Sequence, residues 1–432
     1  MSAGWMQSPL KHWVQINPEV LPEDHDPAAE IEYVDISNVN QIQGILSTER
    51  MYFGDAPSRA RRVVRGGDTI VSTVRTYLKA VAPVRDPPDN MIVSTGFAVL
   101  RPRSQANAGF VGWLAQSEGF VQAVVARSVG VSYPAINPSV LGGLPVRFPG
   151  MENQNGIAEF LDRETARIDG LIAKKERLID LLHERQHALL SRAVLRGLEP
   201  NPTLRESGSS MLGEIPTHWK VKPVKFVAEV GNGSTPNRDN PEYWADGNYP
   251  WLNSSVVNQE EVAEASEFVT PFALKECHLP KISPPAVLVG ITGEGRTRGM
   301  ATTLVFEATI NQHLAYLKPY SSDIDVTYLR RAFDAAYAFL RNESGGGGST
   351  KGAITCQQIS SLKLALPPPD EQLAICSYLD RENRASNSLI EGVHIAVERL
   401  REYRTSLISA AVTGQIDVRT YHKEPEAVLE TA

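Results

Sequence analysis

Two stretches of the chain carry apolar residues at helical spacing over an unusual length. Ile157, Leu161, Glu164, Ile168, Leu171, Lys175, Leu178, Leu182, Arg185 and Leu189 alternate spacings of four and three, the a/d heptad pattern of a coiled coil. Ile172 and Ile179 widen that stripe. Ile375, Leu379, Glu382, Ser386, Leu389, Val393, Ala396, Leu400, Tyr403 and Leu407 repeat the same phases. Neither segment contains proline, while Pro149 and Pro367–Pro369 stand just before each one. Proline breaks a helix interior and is tolerated at a helix start. About 40 residues at ~1.5 Å rise predict a rod of roughly 60 Å. Two rods with matching stripes are expected to pair antiparallel, with the globular parts at opposite ends.

The rest of the chain reads as mixed α/β. Short apolar runs predict strands at Asp68–Val74, Phe97–Leu100 and Ala286–Thr292, and helices are expected over Phe110–Val125 and Val326–Leu340. Residues 199–213, rich in Pro, Ser and Gly, have linker composition.

The chain is also written twice. Position i resembles position i+218 over a long stretch. Leu161-Asp-Arg-Glu164 returns as Leu379-Asp-Arg-Glu382, Gln154 as Gln372, Ile157 as Ile375, and Ala135-Ile136 as Ala353-Ile354. The match weakens upstream, where Gly96–Pro102 pairs with His313–Pro319, Ser37–Asn40 with Ser255–Asn258, and His12-Trp13 with His218-Trp219. The expected organisation is a variable domain over 1–148, a helical region over 149–198 and a linker over 199–213. A second variable domain follows over 214–366, then a helical region over 367–418 and a tail over 419–432.

Composition narrows the class. The chain has 432 residues, too many for one ordinary core, with 42% hydrophobic and 22% charged residues. No apolar run is long enough to span a bilayer, and the first residues lack a signal-peptide layout. Three cysteines without CxxC spacing fit a reducing, cytoplasmic setting. A net charge of −7 opposes a generic polyanion binder. The charge is uneven, however. Residues 1–49 hold eight acids and one lysine, whereas residues 50–150 hold twelve Lys or Arg against five acids. A local positive face is what phosphate contact requires.

Several motifs suggest chemistry. His183-Glu-Arg-Gln-His187 is a literal HExxH, whose histidines share a helix face and can bind zinc, with Glu184 as base. It lies in the heptad stripe, and the duplicate replaces the ligands with Arg401 and Thr405. Gly345–Lys351 lacks the GxxxxGK[ST] order of a phosphate loop. Asp86-Pro-Pro-Asp89 lacks the aromatic residue that stacks on a flipped base in adenine methyltransferases. A zinc metallopeptidase and a coiled-coil scaffold that binds proteins are the alternatives to a DNA-binding scaffold.

The order of parts resembles the specificity subunits of type I restriction–modification enzymes. The Pro369-Asp-Glu-Gln372…Ile375…Leu379-Asp380 opening of the second helical region is typical of them, as are Gly213–Trp219 and Tyr249–Ser255. The first copy departs with Asn153 in place of Glu371, and its Trp13-to-Tyr33 interval is 20 residues against 30 for Trp219 to Tyr249. The resemblance implies an α+β fold: two mixed α/β target-recognition domains in tandem pseudo-repeat, separated by two long helices forming an antiparallel coiled coil.

It also implies a cytoplasmic, non-catalytic subunit that reads a bipartite target on double-stranded DNA. Two methyltransferase subunits would dock on it, two motor–nuclease subunits can join, and the helices would act as a ruler between half-sites. This chain would carry no cofactor of its own, since S-adenosylmethionine, ATP and magnesium belong to the partners. The residues expected to meet DNA are Arg59, Arg61, Arg62, Arg75, Lys79, Ser132 and Tyr133 in the first domain. In the second they are Ser234, Thr235, Asn237, Arg238, Arg296, Arg298 and Lys351.

Overall fold

The computed structural model describes residues 4–293, 295–345 and 352–419. Lys351, most of the glycine run before it and residues 420–432 of the expected tail lie outside these. The chain divides into two units, Met1–Arg177 with Gly392–Ala432, and Leu178–Glu391. Each unit contains one α/β domain and a stretch of both long helices.

The first α/β domain holds two four-stranded sheets. One runs in the order Glu49–Tyr52, Glu30–Val34, Met91–Ser94, Ala60–Val63, and the other Val14–Ile16, Phe97–Pro102, Thr69–Ser72, Val81–Pro83. The second domain has a three-stranded sheet, Glu267–Val269, Tyr249–Leu252, Thr309–Ile310. Its five-stranded sheet runs Ala228–Asn232, Leu314–Pro319, Ala286–Gly290, Ala301–Leu304, Glu261–Val262. The duplication is visible in the pairing. Glu30–Val34 runs parallel to Met91–Ser94, and Tyr249–Leu252 runs parallel to Thr309–Ile310. Thr69–Ser72 pairs antiparallel with Phe97–Pro102, and Ala286–Gly290 with Leu314–Pro319. Every residue of Thr69–Ser72 and of Ala286–Gly290 is buried. Covered on both faces, Ala286–Gly290 reads as an unbroken apolar run rather than an alternating one, and Thr69–Ser72 keeps two adjacent apolar residues between a buried threonine and a buried serine.

One expected helix is two. Ala108–Gln116 and Glu118–Ala126 are separated by Ser117, whose extended backbone (φ −64°, ψ 143°) ends the first and caps the second. Its hydroxyl donates to the Leu114 carbonyl and accepts from the Phe120 N–H. A serine that can hydrogen-bond its own backbone competes with the helix ladder. The corresponding helix of the second domain, Val326–Glu343, carries Ala335 at that position and is unbroken. The segment with linker composition is also more ordered than its residues suggest: Leu204–Glu206 pairs antiparallel with Glu214–Pro216, and Leu212 is buried.

The long helices run Met151–Arg196 and Pro369–Thr413. Within the first unit they lie antiparallel, Asp169 meeting Arg404 at 2.9 Å and Glu176 meeting Arg401 at 2.9 Å. Leu161 and Ile168 share its core with Leu400 and Leu407. Within the second unit Arg185 reaches Glu382 (2.7 Å) and Gln186 reaches Asn387 (2.9 Å). Val194 shares the core there with Ile375 and Leu379. The seam departs from the strict heptad near its middle: Leu178 and Leu389 are exposed, and their neighbours Ile179 and Ile390 are buried instead. A straight helix with 3.6 residues per turn drifts by ~20° per heptad, so after three heptads the contact passes to the next residue.

The repeated glutamines explain why the duplicated block begins where it does. Gln154 donates to the carbonyls of Gln105 (3.2 Å) and Pro149 (2.9 Å) and accepts from the Asn107 N–H (2.8 Å). Gln372 donates to Asp323 (2.7 Å) and Pro367 (2.9 Å) and accepts from the Asp325 N–H (2.9 Å). Both are buried, and Asn107 and Asp325 each cap the first helix of their domain. One side chain thus ties each long helix to the domain preceding it, satisfying backbone groups that would otherwise be buried unpaired. Asp162 and Asp380 add a second tie, to Trp113 Nε1 (3.1 Å) and to Arg331 (2.7 Å).

Candidate nucleic-acid interface

In the first domain a cleft of about 520 Å³ opens between Asp35–Ser37, Val74–Leu78 and Ser94–Gly96. Arg59 sits in it, held from behind. Its Nε donates to Tyr33 Oη (3.1 Å) and Asp35 Oδ2 (2.9 Å), and its Nη2 donates to Asp35 Oδ2 (2.5 Å). Asp35 is fixed in turn by the Ile36 N–H at 2.5 Å. Burial alone pushes the Asp35 carboxyl up, but the hydrogen bonds from Arg59, Ile36 and Tyr33 outweigh it and hold the group below the usual carboxylate range. Arg75, in the left-handed region at φ 51°, lies 4.9 Å from the ring centre of exposed Tyr133. A bridge between Val74 and Ala135 brings the loop of Ser132 and Tyr133 to this edge.

The structure therefore gathers Arg59, Arg75 and Tyr133 on one cleft, with Ser132 beside them. It places the other three differently. Arg61 donates to the carbonyls of Pro22 and Ser58 and covers Phe53, pinning a loop. Arg62 is half-buried, with its Nε unpartnered and its guanidinium pushed down by burial. Lys79 is paired with Glu118 at 3.0 Å.

The corresponding positions form the same corner of the second domain. Asn253 stands for Asp35, Ser255 for Ser37 and Thr292 for Val74 at an offset of 218. Gln312 and His313 stand for Thr95 and Gly96 at an offset of 217, where the Ile291 N–H meets the His313 carbonyl as the Thr73 N–H meets that of Gly96. Gly233 allows the preceding loop to approach, since a Cβ there would fall 1.7 Å from the Ile310 carbonyl oxygen. Trp251 Nε1 donates to the Ser234 carbonyl (3.1 Å), and Thr235 Oγ1 then donates to Gln312 Oε1 (2.6 Å). Gln312 Nε2 meets His313 Nε2 at 3.2 Å, and His313 Nδ1 meets Thr292 Oγ1 at 2.7 Å.

Arg238 packs over Trp244 and Trp251 (4.0 and 4.6 Å) and pairs with Glu267, which also accepts from Asn253. The Asn237 side chain accepts from the Asp239 N–H within its own turn. These residues, with the short helix Pro241–Trp244, occupy the interval that is longer in the second copy. Arg296 lines a separate cavity of about 720 Å³ with His187, Arg330, Arg331 and Asp334. Arg298 is buried against Gly352. Asp35, Thr95, Gln312 and His313 were not among the residues expected from sequence. The offset that aligns the copies marks their positions, but their types differ between copies, so no shared motif singles them out.

A family profile described as the type I restriction modification DNA specificity domain matches residues 216–399. The chain is 23% identical over 368 residues to a protein assigned as the MjaX specificity subunit of a type I restriction enzyme in Methanocaldococcus jannaschii. That match covers 82% of this chain and 79% of the other. Its fold superposes on a chain solved in work on complex assembly and conformational transition of the type I R-M system, with a TM-score of 0.76, 22% identity, and 96% and 99% of the two chains covered. It superposes on the HsdS subunit from Thermoanaerobacter tengcongensis with a TM-score of 0.58, at 22% identity and 96% and 98% coverage. The chain thus matches the specificity-domain profile over residues 216–399 and resembles type I specificity subunits in fold along nearly its whole length.

It has the expected α+β architecture of two tandem mixed α/β domains and an antiparallel helical pair. The HExxH segment falls within that pair. Arg185 of the motif is committed to Glu382, and His183 Nδ1 lies 3.3 Å from Gln186. Among the described residues no group of three or more His, Cys, Asp or Glu is placed to hold a metal ion. None of the helices among these residues is long and apolar enough to cross a membrane.

Proposed function

We propose that this chain is a type I specificity subunit that reads a two-part sequence on double-stranded DNA, one part through each α/β domain, and performs no chemistry itself. The observation that carries this reading is the repetition of one corner of the fold, open in both domains and lined by polar side chains whose orientation is set by neighbours. Arg59 is the clearest case. Its Nε and one edge of Nη2 are occupied by Tyr33 and Asp35, leaving Nη1 and the rest of Nη2 to face a ligand. A guanidinium fork presented in this way suits the O6 and N7 acceptors of guanine. Arg75 and Ser132 at the rim suit phosphate.

Two methyltransferase subunits dock on the helical pair, and two motor–nuclease subunits join the complex. S-adenosylmethionine, ATP and magnesium are bound by those partners. A gel shift with the purified complex at 50 and 200 mM salt tests DNA binding. Phosphate contacts make affinity fall steeply between the two concentrations, by roughly a factor of 10³ for six neutralised phosphates. Affinity that does not respond to salt would point to a scaffold for proteins instead.

A further inference from the structure

The second recognition domain holds a side chain whose donor and acceptor are both pre-aligned, and we infer that Gln312 selects adenine at one position of the target. The inference rests on the DNA-reading function above and adds the base and the residue. Gln312 is exposed, yet its amide is fixed from two sides. Thr235 Oγ1 donates to Oε1, and Nε2 donates to His313 Nε2. For that second bond His313 must keep Nε2 bare, so its proton is on Nδ1 and is donated to Thr292 Oγ1. The backbone of His313 is held as well, by the Asn311 side chain (3.0 Å) and by the Ile291 N–H (2.9 Å).

Gln312 is left with one free N–H on Nε2 and one free lone pair on Oε1. The major-groove edge of adenine offers the complement, N7 as acceptor and the N6 amino group as donor. Guanine presents two acceptors there, and cytosine and thymine each present a single polar group, so neither hydrogen-bonding function of Gln312 could be satisfied together with the other. Thr235, His313 and Thr292 are positioning residues. They remove the rotational freedom that Gln312 would otherwise lose on binding.

Selection of binding sites from a pool of random-sequence duplexes by the purified complex, with wild type and Gln312 variants in parallel, tests the inference. Gln312→Ala is expected to keep every position of the selected motif except one adenine, where preference falls roughly tenfold to hundredfold. Gln312→Glu, which can only accept, is expected to change that position towards cytosine, whose N4 amino group donates. His313→Ala should weaken preference at the same position and at no other. An unchanged motif from Gln312→Ala overturns the inference and leaves DNA reading intact. A wild-type complex that selects no motif overturns both. Because Gln312 is exposed, a melting temperature within a degree or two of wild type is expected for each Gln312 variant and separates loss of reading from loss of fold.

Discussion

In the proposed reading Arg59 and Gln312 do comparable work with different chemistry, and each is held by neighbours, Asp35 and Tyr33 for Arg59 and Thr235 and His313 for Gln312. Arg59→Ala is expected to remove discrimination at one base pair of the target by roughly tenfold to hundredfold, read in competition binding. Asp35→Asn should do part of the same damage without touching DNA, because Arg59 loses the charge that orients it. Asp334 makes a separate prediction. Burial pushes its carboxyl up to about 6 despite Arg330 and Arg331 beside it, with Glu260 adding to the rise. The folded state therefore holds this proton where the unfolded chain has released it. The contribution is present in full below the unfolded value and is lost as pH rises through about 6. The difference in urea midpoint between wild type and Asp334→Asn should change between pH 4 and 7 and be flat above it. Chemistry at this scale was only partly legible in the sequence. Thr235, Arg59 and Arg75, chosen by type and loop position, do lie at the candidate corners. Arg61 and Arg238, equally plausible by type, turn inward to a loop carbonyl and to two tryptophans, and only three-dimensional packing separates the two groups.

The helices were the most legible elements, because a long stripe without proline admits few other readings. The register within them was less so. A heptad written on the sequence assigns Leu178 and Leu389 to the seam, whereas the 3.6-residue period passes that place to Ile179 and Ile390. Leu161→Ala, at a fully buried position, should cost about 2–5 kcal/mol in urea unfolding. Leu178→Ala, at a position 39% exposed, should cost less than about 1 kcal/mol. Equal losses at the two sites would contradict the seam described. Gln372→Ala removes the tie between the second domain and its helix and leaves an N–H and two carbonyls unpaired, a loss of about 1–3 kcal/mol by the same measurement. The break at Ser117 had a local signal, a serine between two apolar stretches, that the apolar periodicity on either side masks.

At the scale of the whole molecule the duplication organises everything else. It was legible because the same glutamine ties the same buried backbone in both copies, Gln154 to Pro149 and Gln372 to Pro367, so the offset of 218 survives where they act. It fades at the corners that hold Arg59 and Gln312, where each copy carries its own polar set, as the proposed reading of two different half-targets requires. The measurement that tests this most directly is the adenine methylome of a methylation-free host carrying this chain with its methyltransferase partner. A single motif in two parts is expected, with Arg59→Ala altering one part and Gln312→Ala the other. A methylome without such a motif, or one in which both variants alter the same part, would contradict it.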